Sequence, residues 1–109
     1  MGRFKERYKF LNYIFSNEKH LSEIVSAVDS KIIGSPERWL KVIAETYETA
    51  KQKKLEISEI ASRRFHNKEF YICTCLEMCI SPAKYYRLLS IFFKIAEQKI
   101  EKIFSSNEK

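Results

Sequence analysis

Residues 67–98 read NKEFYICTCLEMCISPAKYYRLLSIFFKIAEQ, and this stretch decides the fold. It predicts a short helix, a tight turn and a longer helix. Asn67 is the expected N-cap of the first helix, which runs to about Glu77, because its side-chain oxygen accepts a backbone N–H of the first turn. Ser81-Pro82 predicts a second helix start, since serine caps and proline loses no hydrogen bond at the first helical position. Spacing at i, i+3 and i+4 places one apolar face of the first helix on a core: Tyr71, Ile72, Cys75, Met78 and Cys79.

The second helix, residues 82–98, has two different sides at 100° per residue. The side predicted to anchor it on the core carries Tyr85, Leu88, Leu89, Phe92, Ile95 and Ala96. The opposite side carries Ala83, Arg87, Ser90 and Lys94, flanked by Lys84 and Tyr86. This layout is typical of a helix-turn-helix, whose second helix enters the major groove of DNA. The alternative is a plain helical hairpin whose outer side is only solvated.

Four short segments also suggest a family: Arg-Arg-Phe-His-Asn-Lys-Glu (63–69), Cys-Leu-Glu-Met-Cys-Ile-Ser (75–81), Tyr-Tyr-Arg (85–87) and Ala-Glu (96–97). They resemble the C-terminal half of the RinA/ArpU-like late-gene activators of phages and prophages, which are themselves similar to region 4 of sigma factors. The resemblance covers residues 60–98. It implies a cytoplasmic, DNA-binding transcription activator.

The candidate DNA contacts are cationic or hydrogen-bonding side chains in and before this motif: Lys84, Tyr86, Arg87, Ser90, Lys94, Lys68, Arg63 and Arg64. Base readout is expected of Lys84, Tyr86 and Arg87, because bidentate arginine to guanine is the commonest specific contact. Phosphate capture is expected of Lys68 and of one of the two arginines, which precede the helix that crosses the DNA backbone in such motifs.

Length and composition bound the architecture. A chain of 109 residues with 45% hydrophobic and 31% charged residues fits one domain with a modest core. With two glycines and two prolines the chain has few residues of the types that form β-hairpin turns, so we expect an all-α domain of four to six helices. A net charge of +6 favours an anionic partner such as double-stranded DNA, or an acidic protein surface. Without an 18-residue apolar run no membrane span is expected, and three cysteines with a charged N-terminus favour the cytoplasm.

The region before the motif divides into N-terminal helices (1–34) and a central segment (36–65). Residues 3–16 form an amphipathic basic helix, and a second helix follows from Glu18 with the buried stripe Leu21, Ile24, Val25, Val28 and Ile32. Gly34 ends that helix and Ser35-Pro36 opens the next.

The central segment is either one continuous helix or a pair bent near residues 52–54. One apolar phase runs along it, through Trp39, Ile43, Tyr47, Ala50, Ile57, Ala61 and Phe65, but Lys54 falls on that stripe while Leu55 and Ile60 fall off it. The basic run Lys51, Lys53 and Lys54 could contact phosphates, but a run this short is more typical of a solvated helix turn. Trp39 should share a core with Tyr85, Leu88 and Phe92.

The last helix continues through Ile100 and Ile103 and is apolar around more than half its circumference, with Ile91 and Phe93 flanking the stripe. It therefore packs between two layers of the chain or forms the seam of a homodimer.

An enzyme is not expected, because the chain has two distant histidines and no glycine-rich phosphate loop. Neither a metal nor another cofactor is expected: on a helix Cys73 points away from Cys75 and Cys79, and Cys75 and Cys79 behave as small hydrophobes. The alternative function is a helical protein-interaction module that binds another regulator or RNA polymerase through the N-terminal helices or the apolar last helix.

Overall fold

The computed structural model describes residues 2–18 and 36–105, which form five α-helices. These are α1 (Gly2–Ser16), α2 (Pro36–Lys53), α3 (Leu55–Phe65), α4 (Tyr71–Met78) and α5 (Pro82–Ser105). Within those two ranges there is no β-strand, so the expected all-α fold is confirmed. The buried stripe predicted at residues 21–32 and the helix stop at Gly34 lie outside the described residues. None of the five helices combines the length and hydrophobicity needed to cross a bilayer.

Helix α5 is the central element, and it packs against each of the other four helices. Its predicted core side is confirmed, because the following residues are all buried: Tyr85, Leu88, Leu89, Phe92, Ile95 and Ala96. Phe93 is also fully buried and stacks on Tyr8 of α1 at 4.9 Å between ring centroids. Packing between layers of the same chain therefore accounts for the wide apolar circumference at Phe93.

An aromatic cluster joins α1, α3 and α5. The Phe15 ring lies 5.0 Å from Phe92 and 5.5 Å from Phe65, between ring centroids. Tyr47 of α2 closes the cluster, with its ring 5.0 Å from Phe92. Trp39 belongs to the same buried core. Ring pairs in these tilted and edge-on arrangements stabilise the fold beyond the burial of their apolar surface. The cluster therefore determines how α1, α2, α3 and α5 pack against one another.

The central segment is a bent pair of helices, the second of the two predicted alternatives. Lys54 is extended (φ −166°, ψ 121°) between α2 and α3. The break changes the register of the apolar stripe, so that Ile60 joins Ile57, Ala61 and Phe65 in the core. Leu55, at the first position of α3, keeps 63% of its surface exposed.

The predicted start of α4 at Asn67 is wrong. The Asn67 N–H donates to the Ser62 carbonyl oxygen at 3.2 Å, which makes Asn67 part of the end of α3. Lys68 then has a positive φ of 55° and turns the chain, and α4 begins only at Tyr71.

The predicted buried face of α4 is partly wrong as well. Cys75 is buried, but Ile72 and Cys79 are exposed, and Thr74 is buried in their place. The Thr74 hydroxyl donates to Glu69 Oε1 at 2.7 Å, and this hydrogen bond offsets the cost of burying a polar side chain.

Candidate nucleic-acid interface

The connection between α4 and α5 is a three-residue turn, residues 79–81, with a defined cap on each side. Cys79 has left-handed backbone angles (φ 57°, ψ 47°), and the Ile80 N–H donates to the Cys75 carbonyl oxygen at 3.0 Å. This is the hydrogen-bond pattern that closes many helix C-termini. Ser81 Oγ accepts the Lys84 backbone N–H at 3.1 Å, as expected for the N-cap of α5. The two helices of the motif are therefore joined by a short turn that is capped at the end of α4 and at the start of α5.

The outer side of α5 carries the side chains that the sequence assigns to it. Ala83, Arg87 and Lys94 are exposed and Ser90 is half-buried. Within the part of the chain that the structure describes, neither Arg87 nor Lys94 has an ion-pair partner, so both guanidinium and ammonium groups are available to an external anion. Half-buried Tyr86 is held edge-on against Tyr85, at 5.0 Å between ring centroids.

Lys84, in the first turn of α5, forms an ion pair with a residue of α3. Its ammonium lies 3.7 Å from Glu56 Oε2, while the other oxygen of the same carboxylate lies 3.5 Å from Lys54 Nζ. Lys54 is exposed, so the bend between α2 and α3 places a second cation beside the first turn of α5. The sequence allowed a phosphate contact by Lys54 but favoured a solvated helix turn, and it did not predict that Lys54 lies near Lys84. The basic run at residues 51–54 was the available signal.

Arg63 is engaged by three carboxylates. Its Nη1 donates to Glu77 Oε1 at 2.6 Å and to Glu69 Oε1 at 3.1 Å, and its Nε donates to Glu59 Oε2 at 3.2 Å. The hydrogen bond to Glu77, followed by the one to Glu69, raises the pKa of the guanidinium further above its ordinary value. The Thr74 hydroxyl, together with Arg63, holds the pKa of Glu69 below its ordinary value. This cluster joins α3, the α3–α4 connection and α4.

Arg64 and Lys68 attach the same region to α1. Arg64 Nε donates to Asn12 Oδ1 at 3.1 Å, and its Nη1 donates to the Tyr85 hydroxyl at 3.2 Å. Lys68 Nζ donates to the Ser16 carbonyl oxygen at 2.5 Å, where the negative end of the α1 dipole favours a cation. The structure thus brings Lys84, Tyr86, Arg87, Ser90 and Lys94 together on α5. The described contacts of the other three candidates, Arg63, Arg64 and Lys68, are internal to the chain.

The cysteines and the described histidine lie in different surroundings. Cys75 is buried, and burial raises the pKa of its thiol, while Cys73 and Cys79 are exposed. His66 lies 3.1 Å from Glu18 Oε1 and stacks on Tyr47 at 5.2 Å between ring centroids. Among the described residues, no group of three or more histidine, cysteine or acidic side chains is arranged to hold a metal ion.

Comparison with known proteins adds nothing to this geometry: neither a family model, nor a curated protein, nor a solved structure matches the chain.

Proposed function

We propose that this protein is a sequence-specific, double-stranded-DNA-binding transcription regulator that reads the major groove with α5. The observation that carries the proposal is the outer side of α5, where Arg87 and Lys94 are exposed without an ion-pair partner among the described residues. Arg87 lies in the second turn of α5, which follows a capped three-residue turn, and residues early in the second helix are those that reach base edges in helix-turn-helix proteins.

The proposed readout divides between bases and phosphates. Arg87 donates two parallel hydrogen bonds to a guanine, and Lys84 and Tyr86 contact neighbouring base edges. Lys94 neutralises a phosphate and so helps to fix the register of α5 in the groove. The net charge of +6 supplies the long-range attraction that brings the protein to DNA.

Arg63, Arg64 and Lys68 have a different role in this proposal. Because they are hydrogen-bonded to Glu77, to Asn12 and to Ser16 respectively, their charges are already engaged within the chain. We assign them as positioning residues that hold α4 and α5 against α1 and α3.

The biological setting proposed is late-gene activation in a phage or another mobile element, in the cytoplasm of the host cell. It rests on the resemblance of residues 60–98 to the RinA/ArpU-like activators.

The experiment is the selection of a binding site from a random duplex library, followed by fluorescence anisotropy on that site at several salt concentrations. The logarithm of affinity should fall linearly with the logarithm of salt concentration, with a sequence-dependent part that remains at high salt. Arg87→Ala should cost about 1–3 kcal/mol of specific binding and relax the preference at one base pair. Lys102→Ala is the matched control, since Lys102 is exposed on the same helix near its other end. Equal losses for the two variants would refute readout by Arg87.

The second candidate function is a protein-interaction module that binds RNA polymerase or another regulator. The exposed aromatic side chains of α1 favour it, because Phe10 and Tyr13 keep 52% and 54% of their surface exposed. A protein of this kind would select no site from the library and would show no steep salt dependence. Capture of a partner should then depend on Phe10 and be unaffected by Arg87→Ala.

A further inference from the structure

A groove of about 720 Å³ is lined by residues of α2, α3, the α3–α4 connection and α4. Its charged lining consists, among the described residues, of four carboxylates and two cations. The carboxylates belong to Glu48, Glu59, Glu69 and Glu77, and the cations to Lys51 and Arg63. We call these six side chains the acidic groove. They form a negatively charged surface on a molecule whose net charge is +6.

A single guanidinium leaves most of the charge at one end of the groove uncompensated. Arg63 donates hydrogen bonds to Glu59, Glu69 and Glu77 at the same time, so three carboxylates share one positive charge. Glu69 is half-buried and also accepts from the Thr74 hydroxyl, but Glu59 and Glu77 are exposed. An ionised carboxylate can accept about four hydrogen bonds, and the described contacts of Glu59 and Glu77 use one each. Both can therefore accept further hydrogen bonds from a donor outside the chain.

An exposed apolar surface adjoins the acidic groove. Phe70, Ile72 and Leu76 keep 80%, 55% and 74% of their surface exposed, and we call these three residues the α4 patch. Phe70 directly follows Glu69 in the chain, and Leu76 directly precedes Glu77. The patch is therefore next to a carboxylate at both ends of α4, and a ligand that covers it also meets the acidic groove.

This combination of negative charge and apolar surface limits what can bind. DNA phosphates would be repelled by the carboxylates, and the sequence of α4, YICTCLEM, offers no lysine or arginine to attract them. A second copy of the chain, related by a two-fold axis, would set identical carboxylates against one another. The surface is instead complementary to a ligand that carries both cations and apolar side chains.

We infer that the acidic groove and the α4 patch together bind a basic, amphipathic segment of a partner protein. Lysine or arginine side chains of this segment donate to Glu59 and Glu77, and its leucine or aromatic side chains lie on Phe70 and Leu76. The ion pairs set the orientation of the segment and speed its association, while the apolar contacts slow its release. A single segment covers less area than a standard protein–protein interface, so the complex is a transient one.

The first test is a selection from a random dodecapeptide library displayed on filamentous phage, against the immobilised protein. The enriched peptides should combine lysine or arginine with leucine or an aromatic residue. Non-specific attraction to a molecule of net charge +6 would enrich acidic peptides instead. Enrichment of acidic peptides, or no enrichment above the bare surface, would overturn the inference.

The second test measures the contribution of the carboxylates by fluorescence anisotropy on one enriched peptide. The double variant Glu59→Gln and Glu77→Gln should lower the affinity by about tenfold and make its salt dependence shallower, because charge-assisted contacts are lost. Glutamine keeps a hydrogen-bond acceptor for Arg63, so an unchanged thermal unfolding curve confirms that the fold is intact. Glu101→Gln is the matched control, since Glu101 is exposed near the far end of α5. Equal affinities of the double variant and the control would contradict binding in the acidic groove.

The third test concerns the α4 patch and uses the same peptide. Leu76→Ser should lower the affinity by about tenfold, the loss expected when a leucine no longer becomes buried on binding. The fold should be unaffected, because most of the Leu76 side chain is already in solvent. Phe10→Ser is the control: Phe10 is also an exposed apolar residue but lies on α1, and its loss should leave the affinity unchanged. Weakening by Phe10→Ser equal to that by Leu76→Ser would exclude the α4 patch as the binding surface.

This inference does not rest on the proposed DNA binding. None of the described residues that line the groove belongs to α5, so the two surfaces use different side chains. The peptide experiments contain no DNA, and Arg87→Ala should leave peptide affinity unchanged. Failure of the peptide selection would leave DNA binding untouched, and failure of the DNA-site selection would leave the peptide site untouched.

Discussion

Phe92 is the residue on which the packing of α5 most directly depends. It is fully buried, and its ring centroid lies within 5.0 Å of Phe15 and of Tyr47, 6.0 Å of Phe93 and 6.2 Å of Phe65. A buried phenylalanine removes about 150–250 Å² from water, which at about 25 cal/mol per Å² is worth about 4–6 kcal/mol. Alanine retains part of this burial, so we expect Phe92→Ala to lower the free energy of unfolding by about 3–5 kcal/mol.

The assay is urea denaturation followed by circular dichroism at 222 nm. Against a stability of about 5–15 kcal/mol for a small domain, the expected loss is a large fraction and moves the unfolding midpoint far outside experimental error. Ile91→Ala is the control on the same helix, and because Ile91 is half-buried it should cost only about 1–2 kcal/mol. A cost below about 1 kcal/mol for Phe92→Ala would refute the packing of α1, α2 and α3 around this ring.

Three further predictions concern the motif. The double charge reversal Lys84→Glu and Lys94→Glu should abolish binding to the selected duplex, while an unchanged circular dichroism spectrum confirms the fold; unaltered affinity would remove α5 from the proposed interface. Ser81→Ala should lower the free energy of unfolding by about 0.5–2 kcal/mol in urea denaturation, because the N-cap of α5 is lost. The lowered pKa of Glu69 means that its carboxylate stabilises the fold above its ordinary pKa of 4.5 and ceases to do so as pH falls through the lowered value. Thr74→Val, which removes the hydroxyl donor, should therefore make the loss of stability on acidification shallower; an unchanged acid titration of unfolding would contradict this.

The helices with the strongest local signals could be predicted from the sequence. The 3.6-residue period places every predicted core residue of α5 correctly, because the helix is long enough for the pattern to average over exceptions. Ser81-Pro82 marks the start of α5 for a local reason, since the cap is formed by a residue and its own helix. Both predictions depend on the pattern of residues within a single helix, which can be read directly from the sequence.

Several of the failures involve partners distant in sequence. Asparagine is a residue type that favours N-cap positions, so the sequence places the start of α4 at Asn67. In the structure the chain turns at Lys68, whose ammonium donates a hydrogen bond to the Ser16 carbonyl oxygen of α1, and α4 begins only after this turn. Lys54 lies beside Lys84 only because both reach the carboxylate of Glu56. The spacing of residue types in the sequence does not reveal these contacts, because each contact depends on how separate helices pack.

The basic segment before α4 illustrates the consequence for function. In the sequence, Arg63, Arg64 and Lys68 resemble a set of phosphate contacts placed just ahead of a DNA-reading helix pair. In the structure, Arg63 joins α3 to α4, Arg64 joins α3 to α1 and α5, and Lys68 joins the α3–α4 connection to α1. A cation with satisfied hydrogen bonds within the chain would have to lose them before binding a phosphate, whereas Arg87 and Lys94 lose no ion pair among the described residues. DNA binding by this protein should therefore draw its specificity from α5 alone, with the basic segment holding that helix in place.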